Sequence, residues 1–489
     1  MKKFLIALLA VIILSPVVKA QINFNDYFID KTLRIDYFHI GDANTEFITL
    51  DHMYQYGIWA GSENNLIDNF NNGKYYCMVY DIKSGKLIFS KGYNSYFGEY
   101  QTTTPAINGV KKTYSESILI PFPKNKIKLV IESRTKEQKL EPVFEIVITP
   151  SENGIIRENV TDKNVRVYKS FISGDSHDKV DVVILGEGYD SNEDLKFLED
   201  MKKFTKIFFE QEPYKTYKSK FNIYGIYKPS QENGTDNPNN GVYKNTVLST
   251  TFNSLSSDRY LLTEDNKAVR DLAAHAPYDA IYIMVNTDKY GGGGIYNLYA
   301  TFAADNVWNE YIFLHEFGHC FAGLADEYYT SDVSYNDFYS KGIEPTEPNI
   351  TALLDKNSIK WKEYLTPGIE LPTPWKKNEY EIIDNDWMKE RAPLIKKISS
   401  LIATNAPKES VKAAENEYYV KEQKHVDILD NFFKKNPSWG KVGAYEGAGY
   451  SSQGLYRPMI DCIMFSKGKK PYCKVCEEAI IRMIKFYTE

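Results

Sequence analysis

One five-residue stretch constrains this chain more than any other: His315-Glu316-Phe317-Gly318-His319. Positions four apart on a helix lie on the same face, one turn above the other, so His315 and His319 can present two imidazole nitrogens to one cation. Glu316 stands beside the first histidine, where a carboxylate can take a proton from a water held by a metal. This is the H-E-x-x-H pattern of zinc hydrolases. It predicts a helix that carries a catalytic metal site.

The flanks of this stretch agree with that prediction. H-E-x-x-H also arises by chance in helices that bind nothing, and such helices need no special surroundings. Here the pattern lies in a mostly apolar run, which predicts a buried helix. A glycine and an acidic residue follow it. The apolar neighbours are Ile312, Phe313, Leu314, Phe317 and Phe321.

A catalytic zinc usually has three protein ligands and keeps a fourth position for water, so a third ligand is expected soon after His319. Gly323 lets the chain leave the helix through a left-handed turn. The chain can then bring Asp326 back to the metal. Glu327 is adjacent and also carries a carboxylate. Asp326 is therefore our first choice for the third ligand, and Glu327 is the alternative.

The first twenty residues have the features of a secretory signal peptide. Lys2 and Lys3 precede an apolar run over residues 4–18, and Val18-Lys19-Ala20 provides small residues at a cleavage site. The alternative, a membrane anchor, is disfavoured because the run is short and broken. We expect a mature chain that begins near Gln21, is secreted or periplasmic, and has no membrane span after cleavage.

Composition narrows the function classes further. A chain of 489 residues has room for two or three domains, and a formal net charge of −6 with no basic patch argues against nucleic acid as a partner. In the cytosol, Cys473-x-x-Cys476 would suggest a redox or zinc pair. In an oxidising compartment a disulfide is expected instead, and Cys462 with Cys473 is the favoured pairing. Cys77 and Cys320 have apolar neighbours and are expected in the core.

Residues 21–150 contain many short β-rich runs separated by turn residues, which predicts an antiparallel β-sandwich-like domain. It would pack against the second domain or, alternatively, bind glycan or protein. The polar residues 151–178 are interpreted as a linker. From 179 to 489, apolar runs alternate with helical patterns, which predicts an α/β domain with a mainly parallel sheet. The charged helical stretch 385–436 is left open as a lid or an insertion.

The segment His-Glu-Phe-Gly-His-Cys-Phe-Ala-Gly-Leu-Ala-Asp-Glu-Tyr, residues 315–328, resembles the bacterial immunoglobulin-A metallopeptidase family. Residues 443–476 strengthen the resemblance through Gly447-Ala-Gly-Tyr450, Gly454-Leu-Tyr-Arg457 and Cys462-Ile-Met464. The resemblance covers nearly all of the mature chain. It implies a metzincin-like zinc endopeptidase with a β-rich N-terminal domain. The metzincin pattern H-E-x-x-H-x-x-G-x-x-H differs here, because one extra residue precedes the glycine and the third ligand would be an acid.

The resemblance also implies further roles. Met464, with Met459 as the runner-up, would form a hydrophobic floor beneath the ligand imidazoles. The run Ile295–Ala303, after the glycines 291–294, would be an edge strand that pairs with substrate; the alternative is a simple sheet edge. Independently of the family, Tyr450 and Arg457 are candidates for stabilising an oxyanion, since each can donate hydrogen bonds.

We therefore expect a secreted endopeptidase with one catalytic Zn²⁺, in which Glu316 is the general base and the substrate is a protein or peptide, glycoproteins included. Two other classes stay open. One is an exported zinc amidase that acts on cell-wall or glycan-linked substrates. The other is a non-catalytic protein that binds glycan or protein, although a purely structural metal site would need no Glu316.

Overall fold

A computed structural model describes residues 22–157, 159–330, 339–404 and 406–489. The predicted signal peptide, residues 1–20, lies outside these residues. Among the helices that are described, none is long and apolar enough to cross a membrane. Helices and several sheets alternate along the chain, so the expectation of a mixed α/β protein is confirmed.

The N-terminal region forms two four-stranded sheets that enclose one core. The strand order is β5-β1-β2-β8 in one sheet and β4-β3-β6-β7 in the other, and every pair is antiparallel except β2 with β8. Alternating side chains of both sheets point into the shared core, as the alternating sequence predicts. The elements are α1 (Phe24–Tyr27), β1 (Phe28–Gly41), β2 (Glu46–Tyr56), β3 (Tyr75–Asp81), β4 (Leu87–Tyr93), α2 (Tyr96–Tyr100), α3 (Thr104–Ile107), β5 (Lys112–Pro123), β6 (Ile127–Arg134), β7 (Leu140–Ile148) and β8 (Ile155–Ile156).

A six-stranded sheet organises the next region, in the order β13-β14-β12-β10-β11-β9. Its four inner strands are parallel and its two outer strands are antiparallel to their neighbours. The inner strands are apolar because helices and loops cover both of their faces. The elements are β9 (Arg166–Phe171), β10 (Val180–Glu187), α4 (Asp194–Glu210), β11 (Phe221–Tyr227), α5 (Asn266–Ala273), β12 (Ala280–Val285), β13 (Gly292–Ile295), β14 (Tyr299–Ala303) and α6 (Asn309–Ala322).

The predicted linker, residues 151–178, is not all loop. It contains β8, which joins the first sandwich sheet, and β9, which is the last strand of the six-stranded sheet. The residues of β9 are exposed or half-buried, and an outer strand of this kind carries the polar residues that a loop also carries. Polarity alone therefore could not separate the two. The domain boundaries themselves stay a prediction.

The edge strand beside α6 is not the one expected. The run after the glycines, as β14, lies inside the sheet, and the glycines themselves form the outer strand β13. A Cβ at Gly294 would lie 2.3 Å from the carbonyl oxygen of Glu316, and one at Gly292 would lie 2.6 Å from Cγ2 of Ile312. The glycines are thus required by the close approach of strand and helix, rather than by a loop.

The C-terminal part contains two long helices, a hairpin and a final helix: α7 (Lys377–Ala403), α8 (Lys408–Lys434), β15 (Tyr445–Ala448), β16 (Ser451–Arg457) and α9 (Lys474–Thr488). The stretch 385–436, predicted as charged and helical, lies mostly in α7 and α8, which contact each other. Only a few of their residues are buried, so most of their charges face solvent.

Helix α6 is buried on nearly all sides, as its apolar sequence predicts. Phe313 and Phe317 both stack on Tyr282 of β12, with ring centroids 4.5 Å and 4.9 Å apart. On another side α6 contacts α9. The helix that carries the H-E-x-x-H pattern is therefore packed against both the sheet and the C-terminal helix α9.

Candidate metal centre

The two histidines of α6 converge on one point. Their Nε2 atoms are 3.1 Å apart, and their rings lie edge to face. His315 is buried, and the side chain of His319 is only 14% exposed. The spacing of four residues thus produces the paired imidazoles that the sequence predicts.

The other nitrogen of each ring is held by a backbone carbonyl. Nδ1 of His315 donates to the carbonyl oxygen of Ile463 (3.0 Å), and Nδ1 of His319 donates to that of Leu324 (2.6 Å). Because a carbonyl can only accept, each Nδ1 carries the ring proton, and each Nε2 of a neutral imidazole keeps a lone pair. Metal-binding histidines in proteins are oriented in this way.

Asp326 supplies a third donor at the same point. Its Oδ1 lies 3.0 Å from Nε2 of His315 and 3.2 Å from Nε2 of His319. Gly323, with φ of 59°, ends the helix in a left-handed turn. Asn349 then fixes the following backbone by bonding both the N–H and the carbonyl of Ala325. The structure thus brings Asp326, and not Glu327, to the histidines.

The donor set fits a metal ion. At the bond lengths of tetrahedral zinc, nitrogen and oxygen ligands lie about 3.3 Å apart. The three observed separations are 3.0 to 3.2 Å. Two imidazole nitrogens and a carboxylate oxygen this close together in a buried place need a proton or a metal ion between them.

The electrostatics of these residues show that the site attracts positive charge. Burial acts to lower the pKa of His319, but the charge of Asp326 outweighs it and raises that pKa to about 9. Burial acts to raise the pKa of Asp326, and the two histidines outweigh it and hold that pKa far below its usual range. Burial raises the pKa of Glu316. The carboxylate of Asp326 therefore stays charged and attracts positive charge to this point.

Glu316 lies with the two histidines in the lining of a cleft of about 550 Å³. The glycines of β13 form one wall beside it, and a Cβ at Gly292 would lie 3.1 Å from Cγ of Glu316. Residues of α7 and α8, including Trp387 and His425, form the opposite wall. His425 stacks on Trp387 and lies 3.5 Å from Asp384.

Met464 lies directly against the helix turn between the two histidines. It is fully buried, and a Cβ at Gly318 would lie 3.0 Å from its sulfur. Its carbonyl accepts from the N–H of Glu327 (2.8 Å). Met459, the runner-up, is only partly buried. The place of Met464 suits a floor beneath the candidate ligands.

Tyr450 reaches the site, but through Asp326. Its hydroxyl donates to Oδ2 of Asp326, the oxygen that faces away from the histidines. The N–H of Tyr450 also bonds to the carbonyl of Tyr328, which follows the ligand segment. The structure therefore gives Tyr450 a positioning contact, and its role at an oxyanion stays a prediction.

Arg457 does not reach the site, and the expectation that it stabilises an oxyanion is corrected. It is 0% exposed and its guanidinium donates to the carbonyls of Gly447 (2.6 Å), Glu446 and Ile460. The same group lies 3.7 Å from the ring centroid of Phe465. The sequence does not show in which direction the side chain of Arg457 points. In the structure, packing holds this side chain inside the C-terminal core.

The favoured disulfide between Cys462 and Cys473 is wrong. All five cysteines are free, and Sγ of Cys462 is 3.9 Å from Sγ of Cys476. Cys77 and Cys320 are buried, as expected. Sequence reasoning also missed the carbonyls of Ile463 and Leu324 that orient the histidines, since a backbone group leaves no signal in a sequence.

The fold and the site define a class of protein: a mixed α/β protein in which two histidines of an H-E-x-x-H helix and one aspartate converge in a cleft. The sequence comparisons then identify the family. The family profile described as IgA Peptidase M64 matches residues 169–484, and that described as Peptidase M64 N-terminus matches residues 23–145. The chain belongs to the M64 peptidase family. It is a metallopeptidase, a hydrolase of peptide bonds. No curated protein gives a significant sequence match.

Proposed function

We propose that this protein is an exported zinc endopeptidase whose metal is held by His315, His319 and Asp326 and whose general base is Glu316. The observation that carries the proposal is the convergence of two imidazole lone pairs and one carboxylate within 3.2 Å of each other. Export is supported by the features of residues 1–20, and mass spectrometry of the secreted protein should find a chain that begins near Gln21.

Each residue has a separate task in this reaction. When bound, zinc polarises the scissile carbonyl and lowers the pKa of water to about 7. Glu316 accepts the proton of the attacking water and delivers it to the nitrogen of the leaving amine, so the carbon–nitrogen bond breaks without a free amide anion. The carbonyls of Ile463 and Leu324 hold the two imidazoles in the orientation that presents Nε2. Tyr450 orients Asp326.

The edge strand β13 suits the binding of an extended peptide. It lines the cleft beside Glu316. Gly292 already exchanges backbone hydrogen bonds with Arg259 and Leu261, so a peptide would pair with the rest of this edge, from Gly293 onward. A peptide that adds to this edge would be held by main-chain hydrogen bonds. We therefore propose a protein or peptide substrate whose scissile bond lies next to Glu316.

Glu316→Gln tests the catalytic role. The amide keeps the size of the side chain but cannot accept the proton, so we expect turnover to fall by about 10²–10⁴-fold with zinc retained. Metal analysis and peptide cleavage should be measured on the same preparation. Full cleavage by a zinc-loaded Glu316→Gln protein would refute the role of this residue. His315→Ala is the matched control, and it should lose the zinc of the cleft.

A substrate panel separates endopeptidase from amidase activity. The panel should contain immunoglobulin A, because the family is named for it, together with unrelated proteins, glycoproteins and peptidoglycan fragments. Cleavage of internal peptide bonds supports the proposal. Release of products from peptidoglycan alone would favour an amidase. A zinc-loaded protein that hydrolyses nothing in the panel would favour a binding protein.

A further inference from the structure

A second set of metal-type donors lies next to the candidate metal centre. The sulfur atoms of Cys462, Cys473 and Cys476 and a carboxylate oxygen of Glu327 all lie within 4.8 Å of one another, and all four residues are buried. We call this set the cysteine cluster. Glu327 directly follows Asp326, so one peptide bond joins the two donor sets. The proposed hydrolysis uses none of these four side chains.

The contacts within the cysteine cluster leave Glu327 poorly compensated. Its Oε1 receives a hydrogen bond from Asn349 (3.1 Å) and lies 3.2 Å from Sγ of Cys476 and 3.7 Å from Sγ of Cys473. In the part of the chain that the structure describes, Oε2 has no hydrogen-bond partner, although Glu327 is 0% exposed. A buried carboxylate in this condition is strongly unfavourable unless a cation compensates it.

The buried cation Arg457 does not meet this need. Arg457 attracts Glu327 through space. Its hydrogen bonds, however, go to the backbone carbonyls of the β15 and Ile460 segments. The carboxylate of Glu327 and the three sulfur atoms therefore form a buried set of donors that a metal cation would suit.

The distances match a tetrahedral metal site. Zinc bond lengths place two sulfur ligands about 3.8 Å apart, and a sulfur and an oxygen ligand about 3.5 Å apart. The observed Cys462–Cys476 sulfur distance is 3.9 Å, and the sulfur–oxygen distances to Glu327 are 3.2 and 3.7 Å. A disulfide requires about 2.05 Å between its sulfur atoms. The geometry is that of ligands around one ion and not that of a bonded pair.

The surroundings favour thiolates at this place. The backbone N–H groups of Cys473 (3.1 Å) and Met464 (3.4 Å) both donate to Sγ of Cys462. Cys473 is the N-cap residue of the 15-residue helix α9, and Cys476 lies in its first turn. The positive end of a helix dipole stabilises thiolates. The two N–H groups and the start of α9 thus direct partial positive charge toward the sulfur atoms.

We propose that Glu327, Cys462, Cys473 and Cys476 bind a second zinc ion that is structural. Four protein ligands fill a tetrahedral zinc and leave no position for water, which excludes a catalytic role. The ion would join the segment of Asp326, the segment of Ile463 and Met464, and the start of α9. It would thereby fix the backbone that holds Asp326 and His315 in place.

Zinc content of full-length mature variants tests this proposal. We expect two zinc ions per wild-type chain and one in His315→Ala/His319→Ala. Adding Cys473→Ser/Cys476→Ser to that variant should remove the last ion. Cys77→Ser, which alters a buried cysteine of the sandwich core, is the matched control and should keep both. Absence of zinc from the folded His315→Ala/His319→Ala protein, after zinc is supplied, would overturn the proposal.

Two measurements need no variant. Cobalt-substituted wild-type protein should show the near-ultraviolet charge-transfer absorption of cobalt–thiolate bonds, which the histidine and aspartate donors of the cleft cannot produce. Thiol titration of the unfolded, unreduced protein in a chelator should find five free thiols. Two fewer thiols would reveal a disulfide and would refute the second zinc. An absent cobalt–thiolate band would refute it as well. Neither result would bear on the proposed hydrolysis.

Discussion

Asp326 and Glu327 are consecutive acids in opposite surroundings. Asp326 borders the cleft, where its carboxylate meets two imidazole nitrogens and the hydroxyl of Tyr450. Glu327 is fully buried and faces three sulfur atoms. A metal that activates water needs a ligand position open to solvent, whereas a closed set of four donors can only hold structure. The surroundings, rather than the carboxylate itself, thus decide what each acid can do.

Replacement of Asp326 should have the largest effect on activity. Asp326→Ala removes one of three donors at the cleft, so we expect peptidase activity to fall by more than the about 10²–10⁴-fold predicted for loss of the general base alone. Cleavage rates and zinc content should be measured together. A fully active Asp326→Ala protein would show that the two acids do not differ in the way that the structure indicates.

Replacement of Glu327 should lower the stability of the protein more than its peptidase activity. Glu327→Gln keeps the shape but removes the charge that faces the sulfur atoms, and we expect the free energy of unfolding to fall by about 2–3 kcal/mol. Thermal unfolding with and without a chelator measures this, with Glu327→Asp as a charge-preserving control. If Glu327→Gln unfolds like the wild type and keeps all its zinc, the cysteine cluster does not depend on this acid.

Replacement of Tyr450 tests the surroundings of Asp326 without changing those of Glu327. Tyr450→Phe removes the hydroxyl that orients Oδ2, so zinc at the cleft should bind about 10–100-fold more weakly while the cysteine cluster is unchanged. Competition with a chelator of known affinity measures the change. Unchanged zinc affinity with a lower kcat would instead support the predicted role of Tyr450 at the oxyanion.

His39, in the N-terminal sandwich, also lies between acidic side chains. Its replacement should have the smallest effect of the four. Its Nδ1 lies 2.8 Å from Glu116 and its Nε2 lies 2.7 Å from Glu46, so both ring nitrogens can donate when the imidazole is protonated. A proton on His39 thus supplies the positive charge that a metal ion would supply in the other two sites. Burial acts to lower the pKa of His39, and the two glutamates outweigh it and raise that pKa above its usual value.

The sign of the pH effect follows. A raised pKa in the folded protein stabilises it fully below the unfolded pKa of about 6.5, and this stability is lost as pH rises through the folded pKa. The difference in melting temperature between wild type and His39→Gln should therefore be larger at about pH 6 than at about pH 9. A difference that grows with pH would show that His39 is neutral in the folded protein.

Much of the site could be predicted because it depends on local geometry. The spacing of His315 and His319, the left-handed exit at Gly323 and the apolar faces of α6 all follow from the periodicity of one helix. The β-rich N-terminal region and the parallel inner strands also followed from patterns along the chain. The identity of the edge strand did not, because the glycines of β13 are explained only by their contact with α6.

By itself, the sequence determined the candidate donors on α6, the acidic pair that follows, and the mixed α/β class. Only the tertiary structure decided which acid meets the histidines, that Arg457 is sealed in the core, and that three cysteines gather around Glu327 rather than form a bridge. The physical reason is distance along the chain. Helical spacing is set by hydrogen bonds four residues apart, whereas Glu327 meets Cys462, Cys473 and Cys476 across more than a hundred residues, and only packing brings them together.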